Sequence, residues 1–271
     1  MNRLKYLITA LLLAATSVVT AQCTFKNTAF KSGEFLTYNL YFNWKFVWAK
    51  AGTASMSVVQ SRFNGENAYR CSLTTRGNGR LDNYFVMRDT LLCYATTDMT
   101  PLYFRKGALE GDRYTVDQVW YDYAKGKCSI RMQRRRHNGE IRKKHEESST
   151  CITDMMNLFL RARSFSPKGW KKGYELPVKV ADGNGIDDGK LTFDGIEKIK
   201  ADNGKTYRCL ALTYSEWNES KNKYVKISTF FVTDDSNHIP VRIDLFLKFG
   251  AAKAFLVSMK GTRNPVTSEI K

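Results

Sequence analysis

The sequence predicts an all-β protein: an antiparallel, strongly curved sheet or barrel built from two β-meander halves, with one short helix between them. Three observations carry this. From Leu36 to Trp48 every even position is apolar (Leu36, Tyr38, Leu40, Phe42, Trp44, Phe46, Trp48), while Thr37, Asn39, Asn43 and Lys45 intervene, which is the period of two that a strand requires. Asn64-Gly65 is a strong hairpin signal, and Lys125-Gly126 and Asn138-Gly139 punctuate the middle of the chain in the same way. The chain also resembles itself. Asn64-Gly65-Glu66-Asn67-Ala68-Tyr69-Arg70-Cys71 matches Asn203-Gly204-Lys205-Thr206-Tyr207-Arg208-Cys209 at an offset of 138 at the cysteine. Gly33-Glu34 matches Gly173-Tyr174, and Asp98-Met99-Thr100-Pro101-Leu102 matches Asn237-His238-Ile239-Pro240-Val241, at offsets of 140 and 139. Two copies of one meander, 33 to 106 and 173 to 249, are expected to share a core, with a basic hairpin and a helix (107 to 172) between them.

Taken in order, residues 1 to 21 read as a signal peptide: Arg3 and Lys5, an apolar run from Leu7 to Ala15, then Val19-Thr20-Ala21. The exported chain, 22 to 271, is then a single domain. A lipid on Cys23 is the weaker reading, because Gln22 precedes it where processing favours a small residue. Leu36 to Trp48 is expected to form one long strand, or one bent once, with a wholly apolar face. A second strand follows Gly52, and Tyr69 to Thr74 alternates beyond the Asn64-Gly65 turn. Arg113 to Tyr123, Cys128 to Arg136 and Ile141 to Glu147 are poorer strand candidates; Val241 to Phe249 is a clean one. Thr153 or Asp154 caps the single helix, whose apolar stripe is Met155, Leu158, Phe159 and Ala162, before Pro167 and Gly169 stop it.

The 271 residues are 43% apolar and 25% charged, the proportions of a globular chain able to bury a core without metals or disulfides. Export would place six cysteines (Cys23, Cys71, Cys93, Cys128, Cys151, Cys209) where up to three bridges can form, although Cys71 and Cys209, within strand-like segments, suit buried thiols equally well. The formal charge of +17 becomes +15 without Arg3 and Lys5. Residues 131 to 172 hold 12 basic and four acidic side chains, hence +8 of it. Within that stretch Arg131, Arg134, Arg135, Arg136, Arg142, Lys143 and Lys144 are candidates for docking an acidic polysaccharide or membrane headgroups. A solvated edge hairpin, kept from pairing by its charge, explains the same residues. Export argues against nucleic acid as a partner.

No metal site, cofactor motif or catalytic residue is expected, and an unrecognised hydrolase, its residues assembled only in space, is the remaining alternative. His137, His145 and His238 fall in no metal-ligating spacing, and neither a nucleophile elbow nor a phosphate loop occurs. Asp182 to Gly189 offers oxygen ligands but fails the calcium-loop template, with Ile186 and Asp187 at the wrong places, and reads as a turn.

Gly33-Glu34-Phe35-Leu36-Thr37-Tyr38, Lys50-Ala51-Gly52-Thr53-Ala54, the helix starting at Asp154, Phe231-Val232-Thr233-Asp234-Asp235 and Ile239-Pro240-Val241-Arg242-Ile243 together resemble a family of bacterial exported proteins. Phe249-Gly250-Ala251 and Leu256-Val257-Ser258 add to the match. The family is known as domain of unknown function number 3108. The resemblance implies export to the periplasm, a highly curved or barrel-like all-β fold, and distant similarity to the half-barrels of periplasmic lipoprotein carriers. It brings no catalytic residues. Segments 131 to 144 and 182 to 189 depart from the pattern. The expected role is therefore non-catalytic: an apolar, lipid-like ligand carried on the curved sheet, with the row Leu36, Tyr38, Leu40, Phe42, Trp44, Phe46 and Trp48 as its wall. Packed core explains that row as well.

Overall fold

The computed structural model describes residues 23–44, 47–79, 86–124, 126–247 and 250–270; the segment read as a signal peptide lies outside them. The first meander runs through β1 (Glu34–Trp44), β2 (Val47–Phe63), β3 (Glu66–Gly77), β4 (Met87–Thr96), β5 (Pro101–Glu110), β6 (Arg113–Ala124), β7 (Lys127–Arg135) and β8 (Ile141–Ser148). The helix α1 (Met155–Ala162) follows, and then β9 (Glu175–Ala181), β10 (Ile186–Lys200), β11 (Thr206–Asn218), β12 (Lys223–Thr233), β13 (Pro240–Phe246), β14 (Ala251–Lys260) and the short β15 (Glu269–Ile270). Every ladder is antiparallel. β1 pairs with β14, which joins the two meanders into one sheet ordered β8 to β1, then β14 back to β9; β15 pairs off this path with β11. Hydrogen bonds recur at the matched turns: Gly33 N–H donates to Val58 O (2.9 Å) and Gly173 N–H to Phe193 O (2.8 Å).

The ladder does not close, yet its ends meet. β7 and β9 are twelve strands apart in the order, about 58 Å along a flat sheet. Even so, Arg134 of β7 donates to Asp182, just beyond β9, at 2.8 Å. Below this contact Thr153 forms a parallel bridge with Val180, its N–H donating to Lys179 O (3.1 Å) and its carbonyl accepting from Ala181 N–H (2.7 Å). Only a strongly curved sheet brings these groups together.

The row from Leu36 to Trp48 is not one strand. β1 ends at Trp44 and β2 begins at Val47, with Trp44 opposite Val47 and Asn43 opposite Trp48. Cross-strand partners share a face, so Trp48 points to the side opposite Leu36, Tyr38, Leu40 and Phe42. The expected apolar face is correct for β1 and wrong beyond the turn.

The helix begins as expected. Asp154 Oδ1 accepts the N–H groups of Met156 (3.0 Å) and Asn157 (2.9 Å). Its buried residues, however, are Met156, Asn157, Leu158 and Leu160, while Met155 is 50% exposed. The predicted stripe marks one of two buried sides. Met156 and Leu160 pack into the main core with Leu36, Met56, Cys93 and Ile130, and Leu158 packs into a second cluster with Val180, Leu191 and Tyr214. A helix lodged between two walls needs more than a single apolar face.

Cys23 and Cys151 form a disulfide, tying the start of the described chain to the segment before α1. Cys71, Cys93, Cys128 and Cys209 are buried thiols.

Candidate functional site

Of the predicted apolar row, Leu36 and Tyr38 are buried in the core, Leu40 and Phe42 are half-buried, and Trp48 is exposed on the other face. Phe46 and the side chain of Trp44 lie outside the described residues. The inner end of the row is therefore filled. An opening exists elsewhere on the same curved sheet, and the sequence reading missed it.

That opening is a groove of about 580 Å³ lined by Pro167, Lys168, Trp170, Phe193, Ile196, Leu210 and Asp234 among others. A bulge shapes it. β10 pairs Phe193 with Leu212 and Ile196 with Leu210, with a register shift after Phe193. Phe193 and Ile196 thus face the same way although three residues apart, which strict alternation forbids. Gly195, at φ +119°, takes the conformation the bulge requires and an L side chain resists. Ile196 is consequently 58% exposed at the groove's wall. Trp170 is set by a turn in which its N–H donates to Pro167 O (3.0 Å), and its ring stacks on Tyr174 with centroids 5.0 Å apart. At the polar end, Asp234 is held by Arg208 at 2.7 Å. Lys168 is exposed and has no ion pair among the described residues. Among the described residues the groove is apolar with one free cation at its lip, the arrangement that suits an amphiphile carrying an anionic head.

The basic segment is largely engaged within the chain. Arg131 pairs with Asp122 (3.1 Å), Arg136 with Glu140 (3.2 Å) and Arg142 with the same Glu140 (2.7 Å). Arg134 grips Asp117 through two bonds (2.6 and 2.8 Å) besides Asp182, and these carboxylates hold its guanidinium more firmly protonated. Lys144 faces the turn after β9, 3.3 Å from where a Cβ on Gly185 would sit. Arg135 and Lys143 are exposed with no ion pair among the described residues. Two further cations counted in the +8 are not surface groups. Arg161 donates to the carbonyl of Cys23, and Arg163 is buried against Glu34. The segment forms the outermost hairpin, and β8 is exposed on both faces, as an edge strand defended by charge must be.

The turn at 182 to 185 closes on itself: Asp182 Oδ1 accepts the N–H groups of Asn184 (2.6 Å) and Gly185 (3.0 Å), while Oδ2 takes Arg134. Among the histidines, His145 contacts Ser129 (2.8 Å) on the open surface. No carboxylate touches its other ring nitrogen among the described residues, so nothing there orients a base. His238 is buried, its Nδ1 donating to Arg163 O at 2.5 Å, and burial lowers its basicity. No cluster of three or more potential metal ligands occurs among the described residues.

No curated protein matches the sequence. Among solved structures, the chain is similar to a β-barrel-like protein of domain of unknown function DUF1849 from Brucella abortus, with a TM-score of 0.53 at 11% identity over 86% of this chain and 98% of that one. At that identity the similarity speaks to fold alone. Residues 37–257 match the sequence profile of a family described as "Protein of unknown function (DUF3108)", and the chain belongs to that family.

Proposed function

We propose that the chain is an exported, non-catalytic protein of the cell envelope that binds an apolar, lipid-like ligand against its curved sheet, with the tail in the Trp170–Ile196 groove and an anionic head at Lys168. The supporting observation is the groove itself. Its volume of about 580 Å³ falls within the usual range for small-molecule sites, and a bulged strand holds Ile196 open to solvent where a regular one would turn it away. Binding of a fluorescent fatty acid tests the reading. Ile196→Trp should fill the groove and abolish binding, and Lys168→Glu should weaken the fatty acid while sparing the corresponding uncharged alcohol. Binding indifferent to both changes refutes it.

A second reading keeps only Arg135 and Lys143, the exposed cations of the outer hairpin, as a dock for acidic polysaccharide. Salt-sensitive retention on such a polymer, lost when both become Ser, would favour it.

A further inference from the structure

The face of the sheet opposite Leu36 and Tyr38 carries a set of exposed rings, three of them beside a lysine. Lys253 Nζ lies 4.4 Å from the Trp48 ring centroid, Lys190 4.5 Å from Tyr224, and Lys226 4.8 Å from Phe246; Trp217 meets Tyr224 edge to face at 5.3 Å. Register places them on one side. Trp48 opposes Asn43; Lys253 opposes Tyr41 and Asp244; Ser215 opposes both Lys190 and Lys226; Trp217 opposes Tyr224. It also places them at one end, beside the β1–β2, β13–β14 and β11–β12 turns, which antiparallel order puts on the same rim. Trp48, Trp217, Tyr224 and Phe246 are 39 to 42% exposed.

We propose that this rim docks on the surface of an anionic phospholipid bilayer. Trp and Tyr settle at the headgroup level because one part of each ring is apolar and another polar, and lysines lay their stems along apolar surface while the ammonium reaches phosphate. Two carboxylates on this face already have partners, Asp244 held by Arg242 and Asp194 by Thr213, and Glu219 in the β11–β12 turn is exposed in a stretch that also carries the exposed Lys221 and Lys223. Lys190 is shared with Glu175, which leaves Lys226 and Lys253 the freer charges. Single-stranded nucleic acid fits less well. Bases stack on ring faces, and here a lysine already covers the faces of Trp48, Tyr224 and Phe246. The inference is independent of the groove.

Flotation of the full chain with vesicles of phosphatidylcholine, alone or with about 30% phosphatidylglycerol, tests it. Binding should appear only with the anionic lipid, shift Trp emission to the blue, and fade as salt rises from ~0.1 to ~0.5 M. Each Lys→Gln at 190, 226 or 253 should weaken it about fivefold and all three about a hundredfold; Lys→Arg at the same positions should retain it, and Trp48→Ser should reduce it. Fatty-acid binding in the groove should survive every one of these changes. The proposal is overturned if the chain does not float with anionic vesicles, if the triple Gln variant still binds, or if only Arg135→Ser with Lys143→Ser abolishes binding. Displacement from vesicles by inorganic phosphate or a single-stranded oligonucleotide at concentrations too low to change the ionic strength would likewise assign the rim to another ligand.

Discussion

Replacing Arg163 by Met should be among the most damaging single changes to this fold. Its guanidinium grips Glu34 through two bonds (2.5 and 2.9 Å), donates twice to Asn237 O (3.1 Å each) and lies 5.6 Å from the Phe30 ring centroid. The side chains are 1% and 0% exposed. Asn237 in turn binds the carbonyls of Asn264 and Pro265. One cation therefore joins the start of β1, the end of α1, the turn before β13 and the C-terminal segment. Removing it strands a carboxylate in the core, which costs about 3–5 kcal/mol, and leaves the Asn237 carbonyl without its donors, which costs about 1–3 kcal/mol more. For a chain of this size that corresponds to a fall in Tm of roughly 8–20 °C. Glu34→Met should cost about as much, by stranding the cation.

The double variant separates this account from simple loss of packing. With both residues replaced by Met no buried charge remains and only the Asn237 carbonyl stays unpaired, so stability should return to within about 3 kcal/mol of the parent, an interaction of at least ~5 kcal/mol between the two sites. Urea unfolding followed by Trp fluorescence measures all three variants, and the single losses should barely change between ~0.1 and ~0.5 M salt, because a buried pair is poorly screened. Single losses that simply add in the double variant would refute the reasoning.

Asp154 titrates at about 6, raised from 3.8 mainly by burial against the bonds it receives from Asn157, Tyr121 and Met156. A raised carboxylate binds its proton more tightly when folded, so stability should rise as pH falls from about 7 to 4, by up to ~3 kcal/mol relative to Asp154→Asn; a flat difference between the two unfolding curves contradicts this. A Cβ on Gly183 would sit 2.5 Å from both Asp117 Oδ1 and Gln133 O, whereas one on Gly185 meets only the flexible end of Lys144. Gly183→Ala should therefore cost about 1–3 kcal/mol by lifting the turn off β6 and β7, with Gly185→Ala close to neutral in the same thermal melt. Thiol titration should find no reactive cysteine in the native chain and four after denaturation, with a Cys23–Cys151 peptide in the unreduced digest; six reactive thiols would deny the disulfide.

Strand faces and turns were legible where local chemistry decides them. Asn64 and Gly65 adopt φ of 49° and 88°, as their residue types foretell for a hairpin, and Asp154 caps α1 because a carboxylate before an apolar turn has few better uses. The β1–β2 turn was hidden because Trp44-Lys45-Phe46-Val47 contains no Gly, Pro, Asn or Asp, so alternation appears to run straight through it. The groove was hidden for a different reason. Its walls come from the segment after α1, from β10 and from β11, and its open side depends on a bulge; both are facts of pairing that a linear pattern does not carry. Glu34 stood out in Gly33-Glu34, but its partner lies 129 positions away, and a buried arginine looks in sequence like any other member of a basic run.

Arginines spent inside the fold change what the charge means. Residues 131 to 172 promised a broad cationic surface, yet six of its twelve bases are used internally: Arg131, Arg134, Arg136 and Arg142 by carboxylates of the same sheet and turns, Arg161 by the Cys23 carbonyl, Arg163 by Glu34. An open sheet must keep its edges from pairing with other chains while holding its ends together, and this segment serves both needs. β8 presents charge on both faces to solvent, and Arg134 reaches across the gap to Asp182. Because Arg134 is only partly exposed and bonded to two carboxylates, it clasps the curved sheet where no backbone ladder does. Of the six cations left over, Arg135 and Lys143 stay on the hairpin and Lys168 stands at the groove's lip, while Lys226 and Lys253 lie outside the segment, on the aromatic rim of the opposite face. Among the described residues, unspent charge for an anionic ligand or surface therefore stands at Lys168 and along that rim as well as at Arg135 and Lys143, and the rest of the outer hairpin contributes chiefly to the shape that presents them.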